Sequence, residues 1–380
     1  MNKIDQIYRF SAPGRTELGG NHTDHQRGCV LAAAVDLETT AQVVLNGSNA
    51  IRVFSEGYVP VEVRLDDLDV HTGEENTTAA LVRGVAAEFV RRGAELRGFD
   101  AHVQSNVLPG SGLSSSAAFE VLMGTILNEL FFDRSLSPAE VARIGQSAEN
   151  VYFGKPCGLM DQMASAVGGM VFIDFEYPAC PIVERIDFDL TATGYALCII
   201  DTGADHADLT AEYAAIPGEM REICRYFGKD VLRQIPETEF FAALPQLRGR
   251  VADRAILRAI HFYSENQRVQ QQAEALRAGD VEMFLSLVKA SGRSSWMYLQ
   301  NITPTGAVDQ QAVALALALC EKLLDGRGAC RVHGGGFAGT VQAFVPLEML
   351  ADFRNSVETV LGAGKCHVLS VRAAGGIRVE

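Results

Sequence analysis

Apolar and polar positions divide the chain into a strand-rich opening, a mixed middle and a helical stretch that returns to strands at the end. Short β-type runs predict strands around Tyr8 to Ser11, Cys29 to Leu31, Ala41 to Leu45, Ile51 to Phe54 and Val61 to Leu65. A helix is predicted from Thr78 to Arg91. The alternation of Ala101, Val103, Ser105 and Val107 then predicts a half-buried strand that stops at Leu108-Pro109-Gly110. Phe119, Leu122, Met123, Ile126, Leu127 and Leu130 follow at helical spacing and give one continuous apolar face. Ser137-Pro138-Ala139-Glu140 opens a further helix, with Ser137 as N-cap, proline at the first position and Glu140 closing a capping box. Strands are predicted through Met170 to Asp174 and Ala196 to Asp201. Amphipathic helices are predicted near Arg254 to Ala278, Val281 to Ser291 and Ala307 to Leu324, and strands at Cys330 to His333, Val341 to Val345 and His367 to Val371.

A length of 380 residues exceeds one ordinary core and suits two compact domains with a cleft between them, which we divide near residue 190 into 1–190 and 191–380. No apolar run approaches the roughly 18 residues a membrane helix needs, and no signal-like segment opens the chain. The eight cysteines lack C-x-x-C or His/Cys clustering, so they read as free thiols in a reducing, cytoplasmic compartment. A formal net charge of −14 argues against nucleic acid and anionic membranes as partners, and the expected state is a monomer or weak homo-oligomer. The same charge opposes an anionic substrate. Any phosphate site must therefore be built from backbone amides, a helix N-terminus, a metal and a few placed cations.

Three segments carry candidate chemistry. Leu108 to Glu120 reads L-P-G-S-G-L-S-S-S-A-A-F-E. Gly110 and Gly112 let backbone approach a ligand, and Ser114, Ser115 and Ser116 lie where a helix would present unpaired amides. The run is an anion cradle or an ordinary strand-to-helix turn, and fits neither a P-loop nor a dinucleotide fingerprint. Ser11 to Leu31 packs Arg15, Glu17, Asn21, His22, Asp24 and His25 into a glycine-punctuated loop. Its short polar groups suit a polyhydroxylated ligand, a solvated loop, or a chance imitation of metal ligands by His22, Asp24 and His25. Val332 to Val345 contains Gly334, Gly335 and Gly336, which signal either close approach to a ligand or a strained hairpin.

In this order A-P-G-R with H-T-D, P-G-S-G-L-S-S-S-A-A, C-G-L-M-D-Q-M-A-S from Cys157 to Ser165, and G-G-G-F-A-G resemble the galactokinase pattern within the GHMP kinases. The motifs run from residue 12 to 339, almost the whole chain. The resemblance implies an α+β fold of two domains, the first ribosomal-protein S5 domain 2-like and the second ferredoxin-like, with the active site between them. It implies ATP and Mg2+ as cofactors and a small-molecule sugar as acceptor. It also implies Asp161 as catalytic aspartate with Arg15 as its partner, residues Gly110 to Ser116 on ATP, and Ser116 and Glu149 on the metal. Sugar contacts would come from Glu17, Asn21, His22, Asp24, Tyr213, Gly335 and Gly336. From the residues themselves, Glu149 lies at the edge of an apolar helical face, and the apolar neighbours of Asp161 suggest burial beside a cation.

The chain also departs from that pattern. Galactokinases carry N-x-x-G-E-H-T-D-Y where Glu17, Asn21 and His25 stand here; Val332-His333 replaces Met-Thr, the Cys-Pro-Glu-Leu-Asp stretch is replaced around Ile302 to Gly306, and the arginine pair after Tyr213 is missing. The resemblance places Asn21 near the sugar's C6 hydroxyl, so discrimination at C6 is expected to be relaxed. The expected reaction is transfer of a phosphoryl group from ATP to the anomeric hydroxyl of galactose. Galacturonate, N-acetylgalactosamine or arabinose as acceptor, or a catalytically silent sugar sensor, are the alternatives.

Overall fold

β1 (Tyr8–Gly19) and β2 (Cys29–Leu45) are long antiparallel partners, paired from Tyr8 opposite Val43 to Gly19 opposite Leu31 with register shifts between Pro13 and Arg15 and between Glu17 and Gly19. The computed structural model describes residues 6–107, 112–204, 209–337 and 339–379. The two short runs expected at Cys29 and Ala41 are thus one strand. The expected loop over Ser11 to Leu31 is corrected too: Arg15 and Glu17 sit on β1 opposite Ala34 and Ala32, and only residues 20–28 connect the strands. From Phe10 to Gly19 every residue of β1 is buried, so both faces are covered and its polar residues leave no two-residue alternation to read.

β3 (Ala50–Ser55), β4 (Val61–Arg64), β5 (Phe99–Ser105), β6 (Met170–Asp174) and β7 (Ile182–Ile186) extend this sheet, with β3 parallel to β5 and the other pairs antiparallel. Helices α1 (Thr78–Arg91), α2 (Ser115–Phe131), α3 (Pro138–Ser147) and α4 (Met160–Val167) cover it, burying Phe89, Leu122, Met123, Ile126 and Met163 against Phe10, Val43 and Phe99. The capping box at Ser137 and Glu140 is formed as the sequence indicates.

The chain crosses to a second, all-antiparallel sheet between Ile186 and β8 (Tyr195–Asp201). Before that sheet continues, the chain forms α5 (Thr210–Tyr226), α6 (Glu237–Ala242), α7 (Leu244–Leu247), α8 (Asp253–Ala278), α9 (Val281–Ser294) and α10 (Ala312–Leu324). The helix expected from Ala307 starts five residues later than read, because the turn at Gly306, with φ of 78°, precedes a polar stretch. β9 (Ala329–His333), β10 (Thr340–Pro346), α11 (Leu350–Leu361) and β11 (Cys366–Leu369) complete the sheet in the order β11-β8-β10-β9, and β12 (Ile377–Arg378) returns to pair with β1. One apolar core joins the halves: Leu18 and Leu31 of the first sheet pack with Leu197, Ile199, Val269, Phe284 and Phe344. This shared core fixes β1 against the glycine turn between β9 and β10, where the candidate site lies.

Candidate active site

The polar end of β1 faces the N-terminus of α2 and the start of α4. Arg15 Nε donates to Asp161 Oδ1 at 2.7 Å and its Nη2 reaches Oδ2 at 2.5 Å, a two-pronged pair between residues 146 apart in sequence. Arg15 also donates from Nη1 to the Gly112 carbonyl and from its backbone to the Leu113 carbonyl at 3.0 Å, so it ties the phosphate-loop candidate to the catalytic candidate. Burial pushes the Asp161 carboxyl up, but the charge and hydrogen bonds of Arg15, with the Ser114 hydroxyl, outweigh it and hold it below its usual value.

Gly112 has φ of 72°, and an added Cβ would come within 3.0 Å of His333 Nδ1. Ser114 sits at φ 54° as the N-cap of α2 without capping it, its hydroxyl being turned to Asp161. The first amides of α2, at Ser115, Ser116 and Ala117, precede the first helical bond, which Ala118 makes to Ser114. Gly110 and Ser111 lie outside the described residues.

α3 runs into one π-helical turn at Ala148–Phe153, which carries Glu149 at 2% exposure. Glu149 Oε1 accepts from Ser116 Oγ and from Lys155 Nζ, each at 3.2 Å. Its Oε2 accepts from Gln162 Nε2 at 2.8 Å, and the same amide donates to Glu120 Oε2 at 2.9 Å. Glu120 and Gln162 are both fully buried, and Glu120 Oε1 has no partner. Burial and then the neighbouring Glu149 push the Glu120 carboxyl well up. Gln162 acts as a strut: one NH2 group fixes two carboxyl groups and aims Glu149 Oε1 toward Ser116. A hydroxyl beside a carboxylate oxygen is a hard, oxygen-only donor pair that fits Mg2+. Among the described residues no group of three His, Cys, Asp or Glu side chains could hold a metal alone, so His22, Asp24 and His25 are no such site.

The connection after β1 is stapled by Thr23, whose hydroxyl meets the carbonyls of Gly20 and Cys29 at 2.9 and 2.6 Å. Asp24 follows, packed so closely on Gly158 that a Cβ there would overlap its Oδ2. Asn21, at 1% exposure, gives its amide protons to the Gly334 carbonyl at 2.7 Å and to Glu17 at 3.2 Å, while its carbonyl accepts from Asn301 at 2.8 Å. Every polar atom of Asn21, the residue expected to serve the sugar's C6 hydroxyl, meets a protein partner. Glu17 is paired with the fully buried Arg331, yet burial still raises its carboxyl above the usual value.

The glycine turn collects this loop. His22 Nε2 meets the Gly335 carbonyl at 3.1 Å, which also accepts from Asn301, and Tyr213 donates to the Gly336 carbonyl at 3.0 Å. Burial, then His25, lowers His22 to about 4, so it is neutral at pH 7 and donates from Nε2. A Cβ on Gly335 would meet the Tyr213 ring at 2.6 Å and one on Gly336 would overlap Asn301, so these glycines are demanded by close protein packing. The structure thus gathers Arg15, Asp161, Ser114, Ser116 and Glu149 in one place and ties Asn21, His22 and Tyr213 to the turn. Sequence reasoning missed Glu120, Lys155, Gly158, Gln162, Asn301 and Arg331. Glu120 carried a signal, lying one helical turn beyond Ser116 on the same face, and Gly158 and Gln162 lay within the Cys157–Ser165 motif.

The GHMP kinases N terminal domain matches residues 80–169, and the galactokinase galactose-binding signature matches residues 3–44. A galactokinase of Streptomyces coelicolor is 32% identical over 359 residues, covering 93% of this chain and 88% of its own. This chain belongs to the galactokinase family. Its fold is that of the GHMP kinases: the galactokinase family member from Lactococcus lactis, solved in complex with galactose, superposes with a TM-score of 0.83 at 26% identity over 98% of this chain and 95% of that one. Mevalonate kinase from Methanococcus jannaschii shares the fold with a TM-score of 0.68 at 13% identity, covering 98% and 99% of the two chains.

Proposed function

We propose that the protein transfers the γ-phosphoryl group of ATP to the anomeric hydroxyl of galactose, in a cleft between halves spanning 1–190 and 191–380. The observation that carries this reading is the Arg15–Asp161 pair, held by the Gly112 carbonyl at the mouth of the loop leading into α2. Membership of the galactokinase family and the likeness to a galactose-bound structure support galactose as acceptor.

Loose phosphoryl transfer asks the protein to position groups and balance charge. The amides of Ser115, Ser116 and Ala117 and the positive end of α2 bind phosphate oxygens, beside Gly112 and Leu113. Ser116 and Glu149 would hold Mg2+, which supplies charge neutralisation on the phosphates when bound. Asp24, Tyr213 and the turn at Gly335 and Gly336 shape the sugar end; Asn21 and His22 hold that turn, and Glu17 holds Asn21. Asp161 receives the proton of the anomeric hydroxyl as its oxygen bonds to phosphorus, and the β–γ bridging bond breaks with its electron pair leaving on ADP. Because Arg15 lowers its basicity, Asp161 orients the hydroxyl as much as it removes the proton.

The eight cysteines are all unpaired, which supports a reducing, cytoplasmic setting, and among the described residues no helix is long and apolar enough to cross a membrane. The test is ADP release across a panel of free sugars with and without EDTA. Galactose should give the highest kcat/KM, with turnover abolished by EDTA. ADP release that ignores every sugar overturns the reading.

A further inference from the structure

Lys155 stands in the turn after the π-helical segment, where Gly154 with φ of 81° reverses the chain. Its backbone N–H bonds back to the Glu149 carbonyl at 3.1 Å while its ammonium reaches Glu149 Oε1 at 3.2 Å. That oxygen is also the one facing Ser116 Oγ at 3.2 Å, the other oxygen being committed to Gln162. The ammonium therefore rests on the carboxylate oxygen that the proposed metal site uses. Two like charges cannot share that oxygen closely, so a cation bound between Ser116 and Glu149 displaces the ammonium. The Lys155 side chain is 61% exposed, with a flexible stem that lets its head move, whereas the Glu149 side chain is only 2% exposed and fixed.

Where the ammonium goes is set by the surrounding charges. Its charge acts on Asp161 as well as on Glu149, and Ser116, which shares Glu149 Oε1 with it, lies two residues from Ser114, whose hydroxyl faces Asp161. Arg15 has already committed its Nε, Nη1 and Nη2 groups to Asp161 and Gly112. In a chain of net charge −14, a second movable cation at this spot matches the charge that develops on the transferred group.

We propose that Lys155 is a further catalytic residue: it leaves Glu149 when the metal and nucleotide bind and hydrogen-bonds the phosphoryl group in transfer. It keeps its proton throughout and forms no covalent bond, so the atom balance of the transfer is unchanged. The inference rests on the kinase reading above, and it makes two opposed predictions for one substitution. In Lys155→Met, kcat with saturating MgATP and galactose should fall at least about 30-fold, toward the loss seen when one transition-state donor is removed, with the galactose KM within about threefold. Mn2+ affinity, read by water-proton relaxation with ATP and no sugar, should instead rise about threefold or more, because a competing cation has left Glu149. Lys155→Arg should recover much of kcat, and Lys155→Gln replaces Met if that variant does not fold. A kcat within threefold of wild type, or unchanged or weaker Mn2+ binding, overturns the role of Lys155 while leaving galactose phosphorylation by the wild type intact. A wild-type protein that phosphorylates no sugar overturns the kinase reading itself, and this inference with it.

Discussion

Arg15 and Asp161 meet through two hydrogen bonds of 2.7 and 2.5 Å, joining the middle of β1 to the first turn of α4. The pair fixes the carboxylate's plane as well as its charge. Asp161→Asn keeps the shape and loses charge and basicity, so kcat should fall at least about 100-fold with little change in nucleotide affinity. Steady-state kinetics with direct ATP titration check this; near-normal kcat would remove Asp161 from the mechanism.

Gly158 makes room for Asp24, and its conformation strains no other residue, so Gly158→Ala acts by displacement alone. The galactose KM should rise at least about tenfold through misplaced contacts while the ATP KM stays within about twofold. Equal rises in both constants would show a general loss of structure.

Asn21 donates to Glu17 and to the Gly334 carbonyl, two acceptors. In Asn21→Glu a buried carboxylate would face both without a proton to offer, at a cost of about 2 to 4 kcal/mol. Adding Glu17→Asn supplies a donor and should recover at least half of that loss. A double-mutant cycle by urea denaturation measures the coupling, and additive single effects would dismiss it.

His22 is neutral in the fold because burial and His25 lower it from 6.5 to about 4. Between those values the unfolded chain binds the proton and the folded one does not, so stability is full above about pH 6.5 and declines as pH falls toward 4, by at most about 3 kcal/mol. His22→Gln should flatten the stability profile over that window. A slope between pH 6.5 and 4 that survives the substitution would place the titrating group elsewhere.

Much of the secondary structure was legible because its signals are local. Thr78–Arg91 and Met170–Asp174 have the predicted bounds, and Ser137 caps α3, since an apolar stripe or a cap needs only neighbours in sequence. The glycine and serine run marked the approach to α2 for the same reason. The sequence alone also supplied four ordered motifs whose likeness to galactokinases the family comparison upholds.

Tertiary structure alone decided where the polar side chains point. β1 hid as a loop because its polar residues are buried by partners hundreds of positions away, as Glu17 is by Arg331, and long-range pairing leaves no period in the chain. Asn21 likewise turns to the Gly334 carbonyl and Asn301, a choice set by the packed glycine turn. Gln162 became the strut between Glu120 and Glu149 only when α2, α4 and the π-helical turn converged. Burial makes each such hydrogen bond obligatory, and only the folded chain settles which partner satisfies it.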